Sequence, residues 1–363
     1  MKKIAFLVAG VNAGGTENYL LRFLKYYKDE IAATVYCKSG QLGELENEFN
    51  GAGIKLKPFY LGYFSIRRYR ALYKEFIEEK YDSVCDLTGS FGAFPLLMAK
   101  SASIPIRIAF FRNAGEKFKK SIAKTLYHSY IKILLPKVAT KVLSNSKTAL
   151  NYFYKGKEWW LDPKFEVIYN GVDSNDFIKG NSSLRKELGL NPSTFVVGHV
   201  GRYNEQKNHQ TIIKVAIDLC KGDKDIVFIL CGKNVQQAFQ QEIEALGLSN
   251  QIFFLGVRRD VDAVLRTMDC FYFPSTIEGQ PNALIEALFV GLPFVCSDIE
   301  PIKETIPSNF HNQLIAPFDS DAAKEKIMEI KECKELSESL NLSNWAKEYY
   351  NPRKWFQLFY DKL

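Results

Sequence analysis

The chain has 363 residues, of which 47 % are hydrophobic and 25 % charged, and its net charge is +7. Such a composition excludes a disordered or fibrous protein, and the length suits two domains of ordinary size. Met1-Lys2-Lys3 leads directly into the apolar run 4–9, too short for a signal core, and the uncharged run 87–99 falls short of the roughly 20 residues that span a bilayer. These features predict a cytoplasmic protein that is soluble or peripheral to a membrane. Seven cysteines are scattered without a C-x-x-C pair, several inside strand-like runs such as 227–231, and they read as buried reduced thiols. Charge is uneven. Residues 1–175 hold 27 Lys and Arg against 16 Asp and Glu, a net +11, and the remainder is net −4, which implies different partners for the two halves.

Residues 4–9 read as a first buried strand. The loop Gly10-Val11-Asn12-Ala13-Gly14-Gly15-Thr16 follows, then a helix from about residue 17 with Tyr19, Leu20, Phe23 and Leu24 on one face. The glycines lack the G-x-G-x-x-G spacing of a dinucleotide site. Gly14 and Gly15 can bring backbone N–H groups against a ligand, and a tight turn explains them equally well. Further strands are expected at 32–36, 54–59, 83–86, 106–110 and 141–144, with helices near 42–49, 67–79, 91–100 and 117–135. This alternation predicts α/β architecture: a parallel sheet covered by helices on both faces, with ligands at the carboxyl ends of strands. The pattern loosens between 159 and 180, where 165–169 is a strand and Asn170-Gly171-Val172-Asp173 a turn signal. A second series starts at 195–201 and continues at 226–231, 252–255, 270–273 and 294–296. A domain boundary therefore belongs near 170–185, and the aromatic-rich end, 349–360, reads as one packing helix.

Two places can carry chemistry. Cys270-Phe271-Tyr272-Phe273-Pro274 leads into Glu278-Gly279-Gln280-Pro281-Asn282-Ala283-Leu284-Ile285-Glu286, which reads as a buried strand, a loop with one carboxylate, and a helix carrying another. Pro281 and Asn282 suit a helix start, where unpaired N–H groups and the helix dipole favour an anion. Arg202 and Lys207 bracket a loop after the strand 195–201. Two fixed cations near a helix start could clamp a diphosphate, although by themselves they fit a solvated surface as well.

With Gly201-Arg202…Lys207, Gly256-Val257-Arg258…Asp260, Phe273-Pro274-Ser275, Glu278-x7-Glu286 and Gly291-Leu292-Pro293…Ser297-Asp298 in this order, the chain resembles the retaining, nucleotide-sugar-dependent glycosyltransferases of family four. The first half matches more weakly, through Gly14-Gly15-Thr16-Glu17, Ser144-Asn145-Ser146 and Tyr169-Asn170-Gly171-Val172-Asp173. The resemblance implies two Rossmann-like doubly wound parallel-sheet domains facing across a cleft, the GT-B fold. An acceptor-binding domain would span 1–175, joined by a last helix at 348–363, and a donor domain 176–347. Arg202 and Lys207 would hold the donor phosphates and stabilise the leaving nucleoside diphosphate. Glu286 would accept hydrogen bonds from the ribose, and Glu278 with the backbone of Gly279, Gln280, Pro281 and Asn282 would grip the sugar. The amides of Ala283 and Leu284 would meet the distal phosphate, Val257 and Arg258 would line the base pocket, and Gly14 and Gly15 would close over the diphosphate.

Cations and helix amides of this kind stabilise charge that grows on the leaving phosphate, most strongly at the transition state. No Asp-x-Asp is placed at a strand end, so transfer without a metal or other cofactor is expected. Members of the family often carry a histidine after the fourth or fifth strand of the first domain. Here those places read Cys85-Asp86-Leu87-Thr88 and Phe110-Phe111-Arg112-Asn113, which makes Asp86 and Arg112 the candidate catalytic replacements; His128, inside an expected helix, reads as structural. Basic residues interleave with aromatics at 59–70, in Lys117-Phe118-Lys119-Lys120 and at 152–160, a mixture that suits an anionic membrane surface, with no nucleic-acid motif beside it. The expected function is transfer from a nucleotide sugar, UDP-linked, to a glycan or lipid-linked acceptor in bacterial surface-polysaccharide assembly. A nucleotide-sugar 2-epimerase and a non-catalytic nucleotide-sugar-binding protein are the alternatives.

Overall fold

The computed structural model describes residues 1–63, 65–113, 115, 122–173, 184–333 and 337–363. The basic run Lys117-Phe118-Lys119-Lys120 and the expected domain break at 175/176 lie outside the described residues. Two compact units are present: 1–171 with 352–363, and 172–351.

In the first unit, β1 (Lys2–Val8), α1 (Gly15–Tyr26), β2 (Ile31–Cys37), α2 (Glu46–Gly51) and β3 (Lys55–Pro58) come first. Next are α3 (Ile66–Glu79), β4 (Ser83–Asp86), α4 (Ala93–Ser101) and β5 (Ile106–Phe111). The series closes with α5 (Ile122–Val138), β6 (Lys141–Ser144), α6 (Lys147–Phe153) and β7 (Phe165–Val167). The sheet order is β3-β2-β1-β4-β5-β6-β7, parallel throughout. Strands buried on both faces explain why Ile4, Ala5, Phe6 and Leu7 form an unbroken apolar run with no alternation. The four residues expected on one face of α1 are all buried.

The second unit begins with α7 (Leu184–Glu187), β8 (Phe195–Val200), α8 (His209–Gly222), β9 (Ile226–Cys231) and α9 (Val235–Ala245). It continues with β10 (Ile252–Gly256), α10 (Val261–Thr267), β11 (Cys270–Phe273), α11 (Asn282–Val290) and β12 (Phe294–Cys296). Then come α12 (Glu300–Lys303), α13 (Ser320–Glu332) and α14 (Ser337–Tyr349). Its parallel sheet runs β10-β9-β8-β11-β12. In each sheet the chain reverses its direction of travel beside the first strand, between β1 and β4 and between β8 and β11. Such switch points leave a crevice at the carboxyl ends of the strands.

The aromatic end is two helices rather than one. α14 ends at Tyr349 and α15 (Pro352–Tyr360) starts anew, because a residue before proline is driven out of the helical region. The break separates the units: Tyr350 donates its hydroxyl to the Thr305 carbonyl in the second unit, while Phe356 and Phe359 pack on Tyr19 and Phe23 of α1 in the first. Gly171 leaves room for that packing, since a Cβ there would lie 2.8 Å from the Phe356 ring.

Candidate functional site

The second unit's switch point gathers most of the expected residues. Asn204 caps the turn that carries Lys207, accepting the Lys207 N–H at 2.9 Å. Asn208, next along, takes a left-handed conformation, φ 56°, and its amide donates to the carbonyls of Pro274 and Pro317, tying this loop to the end of β11. The ammonium of Lys207 then lies 2.7 Å from the Glu278 carboxylate and 4.5 Å from the centre of the Phe273 ring. Their side chains are 18 % and 12 % exposed, so this ion pair is mostly withdrawn from water. Arg202 is exposed and makes no ion pair among the described residues.

After Glu278, the backbone of Gly279, Gln280 and Pro281 is buried, and α11 starts at Asn282 with no side-chain cap. The Leu284 amide, expected to meet a phosphate, instead donates to the Pro281 carbonyl at 3.1 Å in a tight first turn. Ala283 keeps the first-turn amide that has no acceptor within the helix. Glu286 is buried, one turn beyond Asn282 and on the same helix face. Arg258 is engaged by Asp260 through two bonds of 2.8 and 2.5 Å, which hold the Asp260 carboxyl below its usual range; Val257 beside it is half exposed. The motif Asp260-Val261-Asp262, which the sequence reading passed over, thus lies just past β10 with one acid already paired. Among the described residues, no group of three or more His, Cys, Asp or Glu side chains could hold a metal ion.

Sequence reasoning missed what lies under the glycine loop. His199 on β8 and His209 on α8 meet edge to face at 5.0 Å; the His199 Nδ1 lies 3.0 Å from the Tyr272 carbonyl and the His209 Nε2 3.2 Å from that of Gly201. Burial keeps both rings neutral, pushing His209 down to about 4 and His199 well below its ordinary value. Gly201 must be glycine, because a Cβ would sit 2.7 Å from the His199 ring, and one on Gly232 would fall 2.0 Å from the Gly201 carbonyl oxygen. The alternation Val197-His199-Gly201 along β8 was the available signal.

The first unit treats its candidates differently. Asp86, at the carboxyl end of β4, has no exposed surface. Its carboxylate takes the Lys38 ammonium at 2.8 Å and the N–H and hydroxyl of Thr88. The expectation of a catalytic replacement there meets a carboxylate enclosed by its own loop. Arg112, one residue past β5, is buried with its guanidinium 3.7 Å from the centre of the Tyr19 ring. Burial lowers its pKa to about 10, which still leaves it charged at neutral pH, so it is a fixed cation and no base. His128 is buried against Phe91 and Tyr127, as a structural histidine would be. Gly14 and Gly15 open α1, and the Glu17 carboxylate folds back onto Gly14.

Two doubly wound parallel-sheet units, one with cation, carboxylate and helix start at its switch point, define a protein of the two-Rossmann-unit class. Residues 181–346 match the family described as glycosyl transferases group 1, and residues 13–176 match glycosyltransferase family 4. The chain belongs to the family-four glycosyltransferases and has the GT-B fold. It is 29 % identical over 281 residues to the Escherichia coli UDP-Gal:α-D-GlcNAc-diphosphoundecaprenol α-1,3-galactosyltransferase, covering 74 % of this chain and 70 % of that one. It is 25 % identical over 338 residues to the Staphylococcus aureus capsular polysaccharide biosynthesis glycosyltransferase CapH, 90 % of this chain and 91 % of CapH. Anabaena HepE, solved with UDP and glucose, has the same fold at a TM-score of 0.81 and 22 % identity, over 99 % of both chains.

Proposed function

We propose that this glycosyltransferase is a retaining, metal-independent enzyme that moves a sugar from a UDP-sugar to a glycan or lipid-linked glycan acceptor in surface-polysaccharide assembly. The observation that carries the reading is the Lys207–Glu278 pair, 2.7 Å apart at the β8/β11 switch point beside the uncapped start of α11. Lys207, Arg202 and the Ala283 amide take the diphosphate, Glu286 the ribose, and Glu278 the sugar hydroxyls. The acceptor hydroxyl forms the new bond to the anomeric carbon on the face from which the phosphate departs, and the departing phosphate oxygen takes the acceptor proton. No protein base is then required, and Lys207 with the helix amide stabilises the charge that builds on the leaving group. UDP and a lipid-diphosphate acceptor are favoured by the similarity to the Escherichia coli UDP-Gal:α-D-GlcNAc-diphosphoundecaprenol galactosyltransferase.

The first unit supports a peripheral membrane location. Tyr63 stacks edge to face on Tyr127 at 4.9 Å, bringing the loop before α3 beside α5. Tyr60, Ile66, Leu126, Tyr130 and Ile133 are exposed on these elements, and so are Arg67, Arg68 and Arg70 at the start of α3. No described helix is long and apolar enough to cross a membrane.

The test is a thermal-shift panel of UDP-, GDP-, ADP- and dTDP-sugars. A ligand at 100 times its Kd adds about 2.7 kcal/mol, a shift of several degrees. UDP-sugars should give the largest shift, and Glu286→Ala should weaken their affinity about tenfold, which roughly halves that shift. Silence across the panel, or an unchanged Glu286→Ala response, would remove the donor-site assignment.

A further inference from the structure

We propose that Arg112, with Asn145 beside it, anchors a phosphoryl group at the carboxyl edge of the first unit's sheet. Arg112 is 7 % exposed, and its Nε and Nη1 have no hydrogen-bond partner. No carboxylate among the described residues lies within ion-pair distance of it, although the charge of Glu17 acts on it from further away. The Tyr19 ring at 3.7 Å and the Phe110 ring at 5.1 Å support the guanidinium by cation–π contact. A ring face accepts none of the N–H bonds, however, because those donors point outward in the guanidinium plane. A buried charge whose donors lack acceptors is strongly unfavourable.

Register supplies the neighbour. Phe111 of β5 pairs with Ser144 of β6, so Arg112 and Asn145 stand side by side, each one residue beyond the paired strands. Asn145 is buried and its Oδ1 is also unpartnered; turned over, the same amide presents N–H donors. Arg112 thus keeps in-plane donors for an absent planar or tetrahedral oxyanion, the geometry in which arginine excels. In a transferase of the proposed kind that oxyanion is the diphosphate of a prenyl-diphosphate-linked acceptor. Only this choice of ligand rests on the proposed function.

Thermal shift and calorimetry on the full chain test it, with inorganic pyrophosphate, UDP and farnesyl diphosphate as probes. Arg112→Met should leave the melting temperature of the ligand-free protein unchanged or higher, and weaken at least one probe tenfold or more. Loss of farnesyl diphosphate, with or without pyrophosphate, assigns the anchor to the acceptor, and loss confined to UDP would overturn that assignment. A lower melting temperature with all three affinities unchanged would overturn the proposal, leaving Arg112 as packing. Should Arg112→Met not fold, Arg112→Gln is read the same way. Failure of both to fold also overturns the proposal, since an anchor for an absent anion is not needed to fold without it. Lys207→Met, measured alongside, reports on the donor site alone: if it leaves UDP binding intact, the donor reading fails while the pyrophosphate and farnesyl diphosphate results still decide Arg112.

Discussion

Breaking the Lys207–Glu278 pair separates two roles that one ion pair now joins. At 2.7 Å, with an effective dielectric constant of ~20, the gross attraction is about 6 kcal/mol. Desolvation offsets much of it, and the 12–18 % exposure of the side chains places the pair nearer the buried than the surface limit. Lys207→Met strands the Glu278 carboxylate and should destabilise the protein by about 3 kcal/mol. Glu278→Gln keeps the shape and a hydrogen-bond acceptor, and should lose about 1–2 kcal/mol. In a double-mutant cycle read by urea denaturation, the coupling should be about 2 kcal/mol. Calorimetry then divides the functions. Lys207→Met should weaken UDP at least tenfold, about 1.4 kcal/mol. Glu278→Gln should leave UDP within threefold of the wild type while depressing turnover of the UDP-sugar. A coupling below about 0.5 kcal/mol, the scale of exposed pairs, would refute the energetic argument. Equal loss of UDP affinity in both variants would refute the division of roles.

Two further outcomes are expected. Burial holds the His209 pKa at about 4 in the folded protein, against about 6.5 in the unfolded chain, so below pH 6.5 the unfolded state binds more protons. Stability should fall as the pH drops from 6.5 towards 4, and His209→Leu should flatten that limb by up to about 3 kcal/mol between denaturation curves at pH 7 and pH 4; an unaltered slope would show that His209 titrates normally. The exposed aromatic and basic residues of α3 and α5 should bring the protein down with anionic vesicles at low salt and release it at high salt. Absence from the pellet under both conditions would remove the membrane contact.

Strand positions were readable because both sheets are parallel and buried on two faces, so each strand is an apolar run bounded by polar loops. The runs 83–86 and 141–144 match β4 and β6 residue for residue. The helix start at Asn282 was readable too, since Pro281 and Asn282 are local signals acting within one turn. Chain order already put Lys207 at a strand's carboxyl end and Glu278 before a helix. Their meeting across 71 residues depends on β8 lying beside β11, a choice of strand neighbour that no local pattern encodes. Tertiary packing set the Lys38 ammonium on Asp86 and buried Arg112 on the Tyr19 ring without an acceptor for its Nε and Nη1. Residue type and spacing establish which charges stand at strand ends. Whether each is paired, buried or left for a ligand depends on neighbours brought in from elsewhere in the chain, and so on the fold.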